Sequence, residues 1–340
     1  MIVHGGDVWR DGRPADWLDF SASLNPDGPP GWVRMAIREG LENAAYYPDP
    51  RAAAARAGIG RHLGVPEGCV LPTNGGMDAV AVAAGLSSRH AIVQPAFQEY
   101  ARLCGGHRDV KWMELGDYAP EPGECLWLCN PNNPTGAVLE RDAVLALLAR
   151  LEAAGGRLIV DEAFVDYCPR HSVVREVAAH PALVVLGSLT KSLCIPGVRL
   201  GFLAAHPSVI SALDGRLGPW RLNCAAAAVA AALPGHGGDF ERIRALNASR
   251  RRRFAADLKE LGAKVWPSEA NFLLADFRRD MRPAIEALME RRILVRPCGM
   301  FPGLTHGHLR LAVRTEAENG RLVEALREIM EQERCREANP

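Results

Sequence analysis

Neither sign of charge prevails in this 340-residue chain: forty Lys and Arg stand against forty Asp and Glu. Polyanions and anionic membrane surfaces are bound through a cationic excess, so no general affinity for nucleic acid or membrane is expected. Long apolar runs are missing too. The longest, Cys224–Leu233, is ten residues of mostly alanine, about half of the roughly 20 that a membrane-spanning helix needs. The nine cysteines include no CxxC pair; the nearest spacing is Cys125 to Cys129. Neither a disulfide framework nor a zinc site is expected, no other metal site is indicated, and a reducing cytoplasm is the natural compartment. The opening residues lack the basic-then-apolar order of a secretory signal, in keeping with a cytoplasmic location. Repeats and low-complexity segments are absent. What remains, 48% hydrophobic and 24% charged residues, is the composition of a packed globular protein.

At this length two domains are expected. Residues 1–30 are broken by Gly5, Gly6, Gly12, Pro14, Pro26, Gly28, Pro29 and Pro30, too often for a long element, and read as an irregular arm. From residue 31 to 235, helical stretches alternate with short apolar runs at Cys69–Pro72, His90–Gln94, Cys125–Cys129, Leu158–Val160, Leu183–Leu186 and Gly201–Ala204. Such runs bounded by turn residues fit strands buried on both faces of a mainly parallel sheet, an α/β arrangement. Beyond Gly235 the texture changes to a charged helix, Phe240–Leu261, then short strands and two more helices. Residues 236–340 therefore read as a smaller α+β domain. The run Arg250–Arg253 within the charged helix reads as a solvated face paired with nearby acids.

The chemistry concentrates in four short stretches. Ser188-Leu-Thr190-Lys191 follows an apolar strand and runs on to Pro196-Gly-Val-Arg199-Leu-Gly201. A lysine that attacks carbonyls needs partial desolvation to lower its pKa, and a phosphate beside it needs hydroxyls and a guanidinium. Upstream, Arg157-Leu-Ile-Val-Asp161 ends a strand on an acid, at the edge where open α/β sheets collect ligands. Asn130-Pro-Asn-Asn133-Pro-Thr-Gly136 is a turn dense in hydrogen-bonding groups. Thr73-Asn-Gly75-Gly76-Met77-Asp78 opens a helix whose free N–H groups suit a phosphate. Each is weak alone; the order, with 28 residues from Asn133 to Asp161, 30 to Lys191 and 8 to Arg199, makes the case.

This order resembles the fold-type I pyridoxal 5'-phosphate enzymes, the aspartate aminotransferase superfamily, over nearly the whole chain. The resemblance implies that Lys191 carries the cofactor as a Schiff base, that Asp161 pairs with its pyridine nitrogen, and that Asn133 bonds its ring oxygen. Ser188, Thr190, Arg199 and the loop Gly75, Gly76 and Met77 would hold its phosphate, and Phe97 would stack on its ring. Tyr47 would reach the partner's cofactor across a homodimer. Two residues depart from the pattern: Phe164 stands where many relatives carry a Tyr on the ring oxygen, and Met77 replaces a hydroxyl residue.

Within the superfamily the chain is most similar to the L-threonine O-3-phosphate decarboxylases of cobalamin biosynthesis. The stretches concerned are His4-Gly5-Gly6, Asp19–Pro26, Pro219–Asn223 and Ile293–Cys298, with Ser23 where an Asn is usual. Histidinol-phosphate aminotransferases share the cofactor residues but usually lack the His-Gly-Gly opening, and stand as the alternative. The resemblance implies a small phosphorylated amino acid as substrate, with Arg310 and Arg296 gripping its carboxylate and His4 and Asn25 as further substrate-binding candidates. A non-catalytic binding protein on the same fold is disfavoured by the intact Lys191, Asp161 and Arg199 set.

Overall fold

The computed structural model describes residues 5–10 and 13–338. A central sheet is built from β1 (Val70–Asn74), β2 (His90–Gln94), β3 (Arg108–Lys111), β4 (Cys125–Cys129), β5 (Arg157–Asp161), β6 (Leu183–Ser188) and β7 (Leu200–Ala205), in the order β1-β7-β6-β5-β4-β2-β3. The run from β6 to β3 is parallel, while β7 is antiparallel to both of its neighbours. Alternate side chains enter two different apolar layers: Leu126 and Leu128 pack on one face, Cys125, Trp127 and Cys129 on the other. Burial on both sides is why these strands read as unbroken apolar runs. No described helix is long and apolar enough to cross a membrane.

The helix Ala53–Leu63 is one that the sequence pattern does not announce, because Gly58 and Gly60 interrupt it. Gly58 lies where a Cβ would come within 2.0 Å of the Ala230 carbonyl oxygen. The residue that looks like a breaker instead allows close approach to the alanine-rich helix Cys224–Ala232. The latter is capped by Asn223, whose Oδ1 accepts from the Ala226 N–H at 2.8 Å. The edge strand β3 is equally silent in the sequence, since three of its four side chains are exposed and polar.

A second sheet, β8 (Lys264–Val265), β9 (Phe272–Asp276), β10 (Arg296–Pro297) and β11 (His308–Ala312), has the order β8-β9-β11-β10 and is antiparallel throughout. The long helix Gly237–Glu260 joins the two cores. Its Phe240 packs with the first, its Phe254 and Leu258 with the second. Of the arginine run, Arg250 makes a two-point ion pair with Asp27, and Arg251 donates to the Ala270 carbonyl at 2.9 Å.

The opening segment is less irregular than its glycines and prolines suggest. Leu18–Asp19 forms a parallel bridge with Ile293–Leu294. Phe20 is fully buried in the second core, its ring 6.0 Å from that of Phe254. Arg314 also donates to the Asp19 carbonyl at 3.0 Å. Residues far apart in sequence thus complete one core. Phe20→Ala should cost about 3–5 kcal/mol, the range for emptying a buried aromatic site, read as a lowered midpoint in denaturant titration; a change under about 1 kcal/mol would mean that the segment is not part of that core.

Candidate active site

The carboxyl ends of β4, β5 and β6 open into a cleft of about 210 Å³, the edge where open α/β sheets bind ligands. Because β7 runs antiparallel, its first residues lie at the same edge as the last of β1: Leu200 pairs with Asn74. Arg199 therefore meets the loop that begins the helix Gly76–Ala84. Its guanidinium is so close to Gly75 that a Cβ there would lie 2.6 Å from Nη2. Gly75 also has φ of 80°, and Arg199 itself has φ of 63°, a left-handed conformation that costs a non-glycine residue energy. The N-terminus of that helix, with Ser188, Thr190 and Arg199 on the same wall, gathers backbone N–H groups, hydroxyls and one cation, a donor set suited to a phosphate.

Asp161, at the end of β5, accepts the Ala163 N–H at 2.9 Å on Oδ1 and the Tyr100 hydroxyl on Oδ2. Burial raises its pKa; the bond from Tyr100, the Ala163 N–H and the nearby Lys191 oppose that rise. Lys191 follows β6 and reaches the same cleft. Burial, followed by the positive charges of Arg310 and Arg199, lowers its amine to about 8 against the pull of Asp161. Its Nζ lies 6.0 Å from the centre of the Phe164 ring. An amine near neutrality is a usable nucleophile and proton carrier.

Arg310 comes from the second sheet. Its Nη1 donates to Asn133 Oδ1 at 2.6 Å and its Nη2 to the Ser21 carbonyl at 2.8 Å, while Phe272 lies under the guanidinium at 5.2 Å. Burial pulls its pKa down to about 10, which leaves it charged at neutral pH. No carboxylate forms an ion pair with it among the described residues, and its Nε is buried without a partner. Ser21, Ala22, Ser23 and Gly5 continue the wall beside it. Gly5 sits so tightly that a Cβ would lie 2.1 Å from the Ser21 carbonyl oxygen, and the Gly6 N–H bonds Ser21 Oγ at 2.8 Å.

Eleven expected site residues line this one cleft: Gly76, Met77, Phe97, Asn133, Asp161, Phe164, Ser188, Thr190, Lys191, Arg199 and Arg310. Gly75 shapes it from behind. Asn25 does not line it: its side chain is engaged in its own turn, with Nδ2 donating to the Gly28 carbonyl at 3.2 Å, while its backbone N–H holds the Lys191 carbonyl at 2.9 Å. Arg296 also stands off the wall. It pairs in register with Arg310 on the neighbouring strand, and its guanidinium lies 5.9 Å from the Phe301 ring. Tyr47 is 81% exposed, its ring 4.7 Å from that of Trp220. His4 lies outside the described residues.

Sequence reasoning passed over Tyr100, Ser21 and Ser23. Tyr100 had a signal: it follows the expected stacking residue Phe97 by three positions, about one helical turn, next to a strand end. Among the described residues no group of three or more His, Cys, Asp or Glu side chains could hold a metal ion.

The donor set fits pyridoxal 5'-phosphate: a phosphate cradle, a buried acid for a pyridine nitrogen, and a desolvated lysine between them. The family model for aminotransferases of class I and II matches residues 15–326, and this family uses that cofactor. The chain is 33% identical to a threonine-phosphate decarboxylase of Salmonella typhimurium, covering 96% of both chains. It is 34% identical to histidinol-phosphate aminotransferase 1 of Bradyrhizobium diazoefficiens, over 92% of this chain and 93% of that one. The crystal structure of L-threonine-O-3-phosphate decarboxylase from Porphyromonas gingivalis superposes with a TM-score of 0.83 at 26% identity, covering 92% of this chain and 99% of that one.

In the cofactor-free protein Lys191 should react with an acylating reagent with a midpoint near pH 8, followed by mass spectrometry of its peptide. Because Arg310 disfavours the charged amine, Arg310→Gln should move that midpoint upward. A wild-type midpoint above 10 would contradict the desolvated site.

Proposed function

The chain belongs to the family of aminotransferases of class I and II, and on that premise we propose that it is a decarboxylase of L-threonine O-3-phosphate, releasing carbon dioxide and 1-amino-2-propanol O-2-phosphate for corrinoid assembly. The observation that carries this reading is the contact of Gly5 with the Ser21 carbonyl. Gly5 belongs to the His-Gly-Gly opening, which histidinol-phosphate aminotransferases usually lack, and it packs on the carbonyl that Arg310 also grips. The match to the Salmonella decarboxylase over nearly all of both chains supports it. The alternative, a histidinol-phosphate aminotransferase, is favoured by the comparable identity to the Bradyrhizobium enzyme.

When bound, the cofactor supplies an electron sink for whichever bond at the substrate's α carbon stands perpendicular to its ring. The chain's part is to choose that bond and manage the protons. Gly76, Met77, Ser188, Thr190 and Arg199 would hold the cofactor phosphate, Phe97 would cover one face of the ring, and Asn133 would bond its oxygen. Asp161 would keep the ring nitrogen's proton in place. Arg310 has no acid of its own, so it offers the substrate carboxylate a charge-assisted grip and fixes its orientation at the α carbon. Lys191 Nζ, with its lowered pKa, can deliver a proton to the α carbon after carbon dioxide has left. Tyr47, exposed beside Trp220, is assigned to the face that meets a second copy of the chain.

With L-threonine O-3-phosphate the holoenzyme should release carbon dioxide without any keto acid. A requirement for 2-oxoglutarate, with turnover of histidinol phosphate, would overturn this reading in favour of the aminotransferase. Arg310→Gln should lower kcat/KM by roughly 30-fold to several thousand-fold, the equivalent of losing about 2–5 kcal/mol from a buried charge pair.

A further inference from the structure

Tyr100 is nearly inaccessible, yet it borders the cleft. It begins no loop and faces no solvent. Its ring stacks on Trp127 at 5.2 Å and meets Phe97 edge-on at 5.6 Å. Trp127 is itself buried in the layer beneath the sheet, so the Tyr100 ring is held from below by core packing and touches, above, the residue expected to stack on the cofactor. The hydroxyl donates to Oδ2 of Asp161 and also lies within hydrogen-bonding reach of the Cys129 thiol. Oδ1 is already held by the Ala163 N–H. With one donor on each oxygen, the carboxylate cannot turn about its χ2 axis.

We propose that Tyr100 is a positioning residue that acts through Asp161, locking its carboxylate toward the place of the cofactor's ring nitrogen. The inference concerns the family's cofactor and holds for either reaction considered above. Three consequences follow from the chemistry. A phenol this deeply buried beside a carboxylate has its pKa raised well above the ordinary range, so it remains a donor throughout the working range of pH. A donor aimed at an anionic carboxylate favours the ionised form, and here it opposes the upward pull of burial. The hydroxyl thus favours the ionised form of Asp161 against the pull of burial, the form that can serve as counter-charge to a protonated ring nitrogen. A carboxylate fixed at both oxygens also loses little freedom when the cofactor binds.

Tyr100→Phe removes the hydroxyl and keeps the ring packing on Trp127 and Phe97. In the cofactor-free protein with 13C-labelled aspartate, the Asp161 carboxyl resonance, identified by its loss in Asp161→Asn, should titrate one to two pH units higher than in the wild type. That is the shift expected from losing a hydrogen bond to a charged group, about 1.5–3 kcal/mol, at 1.36 kcal/mol per unit. In the holoprotein, bound cofactor should dissociate about tenfold faster, followed by its absorbance after dilution into an aldehyde trap. The thermal midpoint of the cofactor-free protein serves as the control for packing. An unmoved Asp161 titration overturns the proposal, as does unchanged cofactor release; a lowered thermal midpoint with neither change would assign Tyr100 to packing alone.

Discussion

The costliest feature of this molecule is the collection of like charges in a poorly solvated cleft. Lys191, Arg199 and Arg310 converge there, and Asp161 is the single carboxylate among the described residues of its wall. The crowding is visible in Lys191, where two guanidiniums add to the effect of burial. Such an arrangement persists only if the surrounding structure holds the groups in place and if the charges are eventually met by an anion. The fold supplies the first condition. A phosphate-bearing cofactor and an anionic substrate supply the second.

How the groups are held explains much of the architecture. Arg310 belongs to the second sheet, yet its two terminal nitrogens are satisfied by Asn133 from the first and by the Ser21 carbonyl from the opening segment. That segment is fixed in turn at several points: Arg314 on the Asp19 carbonyl, Arg250 on Asp27, and the Asn25 N–H on the Lys191 carbonyl. Behind the lysine, Asp166 accepts the Ser192 hydroxyl, and Tyr167 donates weakly to the Lys191 carbonyl at 3.4 Å. The lysine backbone is therefore anchored from both the large sheet and the opening segment.

Zero net charge coexists with this cationic site because the balance is kept elsewhere. Several of the arginines outside the cleft are matched by acids, such as Arg56 and Arg221 on Asp214, Arg108 on Glu124 and Arg291 on Glu328. Pairs of this kind at the surface add little stability. Their effect here is local: each neutralises an arginine that lies outside the cleft.

The residues that gather in the cleft were legible in the sequence because they lie in short local motifs: a lysine just after an apolar strand, an acid at the end of another, a glycine pair opening a helix. The positions of the buried strands need little more, since apolar runs flanked by turns announce themselves. The helix with Gly58, the exposed edge strand and the buried place of Phe20 were not legible, since each depends on a partner far along the chain. The same reason governs the site. Local sequence determined which side chains stand at the strand ends, because backbone geometry places them there. Only the tertiary structure decided that Tyr100 meets Asp161, that Arg310 reaches across from the second sheet while Arg296 opposite it packs on Phe301, and that Asn25 contributes its backbone rather than its side chain. Those outcomes rest on burial and on hydrogen-bond partners separated by tens to hundreds of residues, and no local pattern encodes them.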